Sequence, residues 1–168
     1  SLKAQENPAS IADQVLYLKQ ADAALRDGRL TQAGQMITWL ERNGDGLSGE
    51  DVALLKAEYA IAKMDVPAAA AALSAITDTD RNICRLEPAR AWIAANRAKF
   101  DDAIIALAKA TRACPDDASV WNLLGLVFIR KGEAEAASEA FERALALAPE
   151  QAEIRNNYGL VLLQKGDL

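Results

Sequence analysis

Residues 118–149 read ASVWNLLGLVFIRKGEAEAASEAFERALALAP, and this stretch decides the fold class. Before a glycine turn, four residues follow the helical i, i+3, i+4, i+7 spacing: Trp121, Leu124, Gly125 and Phe128. After the turn the period continues through a small, an aromatic and a small residue: Ala137, Phe141 and Ala144. The stretch therefore predicts a helix hairpin with one apolar seam, in which Gly125 and Ala137 let the two backbones approach.

This seam resembles the tetratricopeptide repeat, whose signature is W-x2-L-G-x2-Y, then A-x3-F, then P. The matching residues are Trp121, Leu124, Gly125, Phe128 in the tyrosine position, Ala137, Phe141 and Pro149. The resemblance implies an all-α fold, a right-handed α-solenoid of about four helix hairpins plus one terminal helix. It also implies that residues 1–168 form a single solenoid domain.

The pattern recurs along the whole chain at the repeat length of that family. The expected turn residues are Gly28, Met64, Ala98, Gly132 and Gly166, which are 36, 34, 34 and 34 positions apart. An ordinary helical bundle would need this phase to persist without a structural cause. We therefore predict repeats at about 14–49, 50–83, 84–117 and 118–151, with a partial repeat at 152–168.

Local signals predict where several helices begin. Asn7 followed by Pro8 is typical of an N-cap and a first helical residue, and Ser48 with Asp51 is typical of a capping box. Pro88 is expected to begin the first helix of the third repeat. The segment Asp78-Thr79-Asp80 is expected to close the second repeat.

The terminal helix lacks a partner helix in this pattern. Val161 and Leu162 would then need a further surface to pack on. We therefore expect the array either to continue there or to bind another surface, with self-association through this helix as one possibility.

Composition and charge exclude several classes of protein. The formal net charge is −5, which argues against the basic face that nucleic-acid binding needs. No apolar run approaches the roughly 20 residues that span a bilayer. The sequence opens on serine, so we expect a processed or trimmed chain, and membrane attachment only through an N-terminal anchor absent from it.

The residue types give little support for catalysis. Histidine is absent, which removes the commonest general base and metal ligand, and the sequence has no phosphate-binding or dinucleotide motif. The loop from Glu41 to Gly46 loosely resembles a calcium loop, but Val52 stands where the bidentate carboxylate belongs, so a capped turn is the better interpretation. We predict no catalytic residue, no metal and no cofactor.

The two cysteines lie at the two ends of the third hairpin. Cys84 stands just before its first helix and Cys114 at the end of its second, so an antiparallel hairpin brings both to the same end. They could form a disulfide, which would indicate an oxidising compartment such as the periplasm. Two buried free thiols acting as small hydrophobic residues are an equally open alternative.

The family resemblance also implies a peptide-binding groove, lined by the first helices of successive repeats. Carrying the groove positions across gives a set of candidate residues: Leu54, Glu58, Ile61, Trp92, Asn96, Asn122, Leu126, Ile129, Arg130, Asn156, Leu160 and Leu163. Asn122 and Asn156 would hydrogen-bond the main chain of an extended peptide. Some groove leucines could instead cover one another or receive a further helix.

We therefore predict a non-catalytic scaffold that binds a protein or peptide partner. The run from Arg155 to Leu160 and the alanine-rich second helices resemble the repeat lipoproteins of bacterial Flp/Tad pilus assembly, which implies a periplasmic or envelope-associated assembly factor. The alternatives are a cytosolic adaptor or co-chaperone, and a regulatory segment of a larger enzyme.

Overall fold

The computed structural model describes residues 9–77 and 80–166, which contain α-helices and no strand. The helices within these ranges are α1 (Ile11–Arg26), α2 (Leu30–Asn43), α3 (Gly49–Ala62), α4 (Val66–Leu73), α5 (Ile83–Asn96), α6 (Phe100–Ala113), α7 (Ala118–Lys131), α8 (Ala134–Leu147) and α9 (Ala152–Lys165). The predicted all-α fold class is confirmed. Over the described ranges, none of the helices combines the length and apolarity that crossing a bilayer requires.

The helices form two compact units, Ser1–Thr77 and Asp78–Leu168. In unit 1, α1 packs on α2 and α3 on α4, and α3 also contacts both α1 and α2. In unit 2, α5 packs on α6 and α7 on α8, while α7 contacts α5 and α6, and α9 contacts α7 and α8. Within each unit, a hairpin is thus covered by the first helix that follows it, which is how a repeat solenoid builds its core.

All five predicted turn residues adopt left-handed backbone conformations. Their φ angles are 71° at Gly28, 60° at Met64, 58° at Ala98, 90° at Gly132 and 75° at Gly166. A left-handed residue lets the chain leave one helix and enter the next within a few positions. Met64 and Ala98 adopt this conformation despite their side chains, at a cost of roughly 1–2 kcal/mol each.

The start of α1 and the capping of α3 differ from the prediction. Helix α1 begins at Ile11, where Ser10 and Asp13 form a reciprocal capping box, while Asn7 and Pro8 lie outside the described residues. Ser48 is the N-cap of α3, as expected, but its side chain makes no capping hydrogen bond. The Asp51 N–H donates instead to the Ser48 carbonyl at 3.1 Å, which satisfies that group through the backbone.

The start of α5 also differs from the prediction. The helix begins at Ile83, so Pro88 lies inside it and Cys84 lies in its first turn. Proline at an interior position removes one backbone hydrogen bond, here the bond to the Cys84 carbonyl. The first turn is nevertheless held by burial, since Leu86 is 1% exposed and Glu87 is 4% exposed and paired with Arg90 at 3.0 Å. Of the segment 78–80 expected to close the preceding repeat, Asp78 and Thr79 lie outside the described residues.

The core of unit 1 combines an aliphatic cluster with one buried amide. Tyr17 and Trp39 stack with ring centroids 4.0 Å apart beside this cluster. The buried Gln14 side chain donates to the carbonyl of Ala9 and to Asp45 Oδ1, and it accepts from the N–H of Gly46. Gln14 therefore ties the loop between α2 and α3 to α1.

The loop that loosely resembles a calcium site in sequence makes other contacts in the structure. Besides the Asp45 contact with Gln14, Glu41 forms an ion pair with Lys56 and Asn43 donates to the carbonyl of Trp39. Over residues 9–77 and 80–166, no group of three or more His, Cys, Asp or Glu side chains is arranged to hold a metal ion. The polar groups of this loop thus have structural partners.

The seam predicted from residues 118–149 forms the core of unit 2. Phe141 is fully buried, and a Cβ added at Gly125 would lie 2.7 Å from its ring. The close approach of α7 and α8 therefore requires glycine at position 125. Val161, expected to need a further packing surface, is instead fully buried in this core.

Ser138→Ala is expected to raise the free energy of unfolding by about 1–2 kcal/mol. The Ser138 hydroxyl is buried on α8 and has no hydrogen-bond partner among the described residues, so its desolvation is uncompensated. Alanine also has the higher helix propensity. Urea unfolding followed by circular dichroism measures the change, and a variant less stable than the parent would contradict the unpaired state of this hydroxyl.

Candidate protein-binding surface

The first helices of unit 2 bring residues 34 positions apart to corresponding places. Helix α7 contacts both α5 and α9. Trp92, Leu126 and Leu160 occupy the same repeat position on these three helices, and we call them the apolar ladder. Leu160 is 59% exposed, while Trp92 and Leu126 are half-buried. The ladder therefore offers apolar surface that increases towards α9.

A second set of predicted residues flanks the ladder. Ile129 is half-buried against the unit 2 core, whereas its counterpart Leu163 is 61% exposed. Asn96 donates to the carbonyl of Trp92 at 2.8 Å, which leaves its side-chain oxygen as an acceptor. These positions extend the apolar surface and add one polar group.

Arg130 supplies positive charge next to the ladder. Its guanidinium lies 5.7 Å from the ring centroid of Phe100 and has no acidic partner among the residues that the structure describes. The neighbouring Lys131 is different, because it pairs with Glu133 at 2.6 Å and Asp101 at 3.0 Å. Hydrogen bonds from its ammonium group, first to Glu133 and then to Asp101, raise the pKa of Lys131. Arg130 therefore remains available to an acidic group of a partner.

Asn122 was predicted to lie on this surface, but the structure places it elsewhere. It is 8% exposed; its Oδ1 accepts from Asn157 Nδ2 at 3.0 Å, and its own amide donates to Glu153 at 3.4 Å. Only one of the adjacent residues Asn156 and Asn157 can face α7, because successive helical residues point about 100° apart. It is Asn157 that does so, and Asn156 is exposed. Helical geometry on α9 could have revealed this pairing from the sequence.

The groove candidates of unit 1 lie on α3. Leu54 is only 2% exposed, so its side chain belongs to the core and cannot contact a partner. Leu54 was assigned to the groove from the family pattern, which does not show which side chains pack over a residue. Glu58 and Ile61 are half-buried.

Unit 1 also has a surface depression that the sequence did not indicate. It has a volume of about 970 Å³ and lies among α2, α3 and α4, with many small side chains in its lining. Tyr59 lies against Gly34 in this depression, and the Lys63 ammonium is 5.2 Å from the Tyr59 ring centroid. Small residues spread over three helices leave little pattern in the sequence.

The structure joins Cys84 and Cys114 in a disulfide, with their Cα atoms 5.9 Å apart. The bond links the first turn of α5 to the residue that caps α6. Cys84 is exposed and Cys114 is half-buried. Two buried thiols are therefore not the arrangement found here.

Comparison with known proteins finds one family model that matches part of the chain, and several solved structures with a similar fold. Residues 94–168, under half of the chain, match the model of the cytochrome c-type biogenesis protein H TPR domain. No curated protein sequence matches. PilF of Pseudomonas aeruginosa has a similar structure, with 21% identity, a TM-score of 0.70 and coverage of 92% of this chain and 69% of that one.

MamA proteins are similar to a comparable degree. The 41-end chain of MamA from Desulfovibrio magneticus RS-1 is 19% identical with a TM-score of 0.66, covering 94% of this chain and 89% of that one. MamA of MSR-1 is 23% identical with a TM-score of 0.63, covering 92% of this chain and 87% of that one. The helix pairing, the repeat length and these shared folds show that the chain has an all-α tetratricopeptide-repeat fold.

Proposed function

We propose that this chain is a non-catalytic scaffold that binds a protein partner on the apolar ladder of unit 2. Two observations carry the proposal: Leu160 is exposed on α9, and Arg130 on α7 has no acidic partner among the described residues. Exposed apolar surface next to a charged group is typical of protein-binding sites. The chain contains no histidine, and the ladder brings together no group suited to acid–base or nucleophilic chemistry.

The ladder geometry favours an extended peptide. Packed helices lie about 8–10 Å apart, so adjacent rungs are separated by about three residues of extended chain. A peptide crossing the three helices would then place one apolar side chain against each rung. An acidic side chain at the α7 rung would pair with Arg130. A helix laid across the same rungs is the alternative ligand within this proposal.

Leu160→Asp is expected to abolish partner capture while leaving the fold intact, because the side chain lies at the surface. Ile105→Asp is the matched control, since Ile105 is also 59% exposed but lies on the second helix α6. Each of the two variants is used to select binders from a displayed peptide library and to capture partners from the native host. Equal capture by the two variants would contradict the assignment of the ladder to the binding site.

For the biological setting, we propose assembly of c-type cytochromes, with pilus or secretion assembly as the second candidate. The family model that matches from the end of α5 through α9 supports the first, and the structural likeness to PilF supports the second. Both proposals include a periplasmic or envelope location. Deleting the gene in the native host separates them: loss of covalently bound haem on a stained gel supports the first, and loss of surface pili supports the second.

A further inference from the structure

The depression of unit 1 lies where two positions that hold large side chains in unit 2 hold alanine. Ala53 and Ala60 of α3 are part of its lining and stand 68 residues, or two repeats, before Trp121 and Phe128 of α7. In unit 2 those two aromatic side chains pack against clusters that include residues of α6 and α8. In unit 1 the corresponding space among α2, α3 and α4 is open, with a volume of about 970 Å³.

The walls of the depression are small and mostly apolar. The wall formed by α4 consists of alanines: Ala68, Ala71, Ala72 and Ala75. On the α2 side, the Tyr59 hydroxyl lies over Gly34, where an added Cβ would come within 2.6 Å of it. A flat apolar group can therefore enter between α2 and α4 and lie against the Tyr59 ring and the alanine methyl groups.

Two hydrogen-bond donors in this depression lack a strong acceptor. Within the part of the chain that the structure describes, the Tyr59 hydroxyl makes no hydrogen bond and the Lys63 ammonium makes no ion pair. The ammonium lies 5.2 Å from the centroid of the Tyr59 ring, so the two donors belong to the same end of the depression. A hydroxyl and an ammonium group together favour an anionic acceptor such as a carboxylate.

The other charged groups in the lining already have partners. Lys56 and Glu41 form an ion pair at 2.5 Å, and Asp65 accepts a hydrogen bond from the N–H of Ala68 at 3.0 Å. Lys63 is therefore the charged side chain of this lining that a ligand can pair with.

A continuation of the repeat array would not cover this depression. Further repeats stack on the outer helices of an array, whereas the depression lies between α2 and α4, inside unit 1. In unit 2 the corresponding space is filled by the side chains of Trp121 and Phe128, which belong to α7 itself. The space in unit 1 thus suits a group of side-chain size instead of a further helix.

We propose that the depression of unit 1 binds a small molecule that carries an aromatic ring and a carboxylate. The ring takes the space beside Ala60 that Phe128 fills in unit 2, and the carboxylate accepts from the Tyr59 hydroxyl and the Lys63 ammonium. The volume is within the range of ligand pockets. This site does not depend on the function proposed for the apolar ladder.

The test uses the intact chain, isotopically labelled for magnetic resonance, with indole-3-acetate as the probe. Indole-3-acetamide, with the same ring and no charge, and acetate, with the charge and no ring, are the controls. We expect the probe to shift the amide resonances of Ala68, Ala71 and Ala72 saturably, with a dissociation constant on the order of 1 mM. The acetamide should bind about two- to fivefold more weakly, and acetate should cause no saturable shift.

Variants of the protein identify the contacts. Ala60→Phe gives α3 the residue that α7 has at the same position and is expected to weaken probe binding at least about tenfold, because it fills the site. Tyr59→Phe should weaken it about two- to tenfold. Lys63→Gln should make the acid and the amide bind alike. Lys109→Gln removes an exposed lysine of α6 and is the control that should leave binding unchanged.

Three outcomes would overturn the proposal. The first is no saturable shift with indole-3-acetate, which includes the case in which another segment of this chain fills the depression. The second is equal binding of the acid and the amide by the parent chain, which would remove the carboxylate from the site. The third is binding by Ala60→Phe as strong as that of the parent, which would place the probe elsewhere.

Discussion

Phe141→Ala is expected to lower the free energy of unfolding of unit 2 by about 3–5 kcal/mol. Phe141 is fully buried, and its ring occupies the space opposite Gly125 on α7. Because glycine has no side chain with which to fill the resulting cavity, the site can collapse only by moving helices. Urea unfolding, followed by circular dichroism and tryptophan fluorescence, measures the loss.

The control is Ile105→Ala, because Ile105 is 59% exposed and its removal leaves no cavity. We expect that variant to change stability by less than about 0.5 kcal/mol. A loss for Phe141→Ala no larger than that of the control would contradict the packing of α8 on α7.

Replacing both Cys84 and Cys114 by alanine is expected to lower stability by about 3–4 kcal/mol. The bond closes a loop with a sequence separation of 30 residues, and the chain-entropy model attributes its effect to restriction of the unfolded chain. The bond also holds the first turn of α5, where Pro88 removes a backbone hydrogen bond.

Two measurements test the role of this disulfide. A reductant should destabilise the parent protein by about the same amount and leave the double variant unchanged. Intact mass after thiol blocking, on protein expressed in the periplasm, should show no blocked cysteine in the parent. Two blocked thiols would contradict the bond and weaken the proposed envelope location.

Much of the fold could be predicted because each repeat is recognisable by itself. The turn residues from Gly28 to Gly166 were identified by spacing, including Met64 and Ala98, which have no glycine to mark them. The seam of Gly125 and Phe141 could likewise be predicted from the sequence, because contacts within a hairpin join residues that are close in sequence. The capping bond of α3 and the start of α5 were less predictable, because the Ser48 carbonyl competes for the Asp51 N–H and α5 tolerates Pro88 in its interior.

The candidate site could be predicted only as a set of equivalent positions. Leu126 and Leu160 stand 34 residues apart at the same repeat position, yet the first is half-buried and the second is exposed. Burial depends on what packs over a residue, and that covering comes from other helices. The pairing of Asn122 with Asn157, by contrast, is within reach of the sequence, because helical spacing on α9 points only one of Asn156 and Asn157 at α7.

The sequence by itself determined the helical repeat, its length, its turns and the small–aromatic seam, because these follow from periodicity and from local backbone preferences. Only the tertiary structure decided which copies of a repeated surface are covered. Gly125 meets a phenylalanine ring and Gly159 meets no atom of the described residues, although both stand at the same repeat position. The physical reason is that exposure depends on which neighbours pack over a residue, so the same repeat position is buried in one repeat and exposed in another.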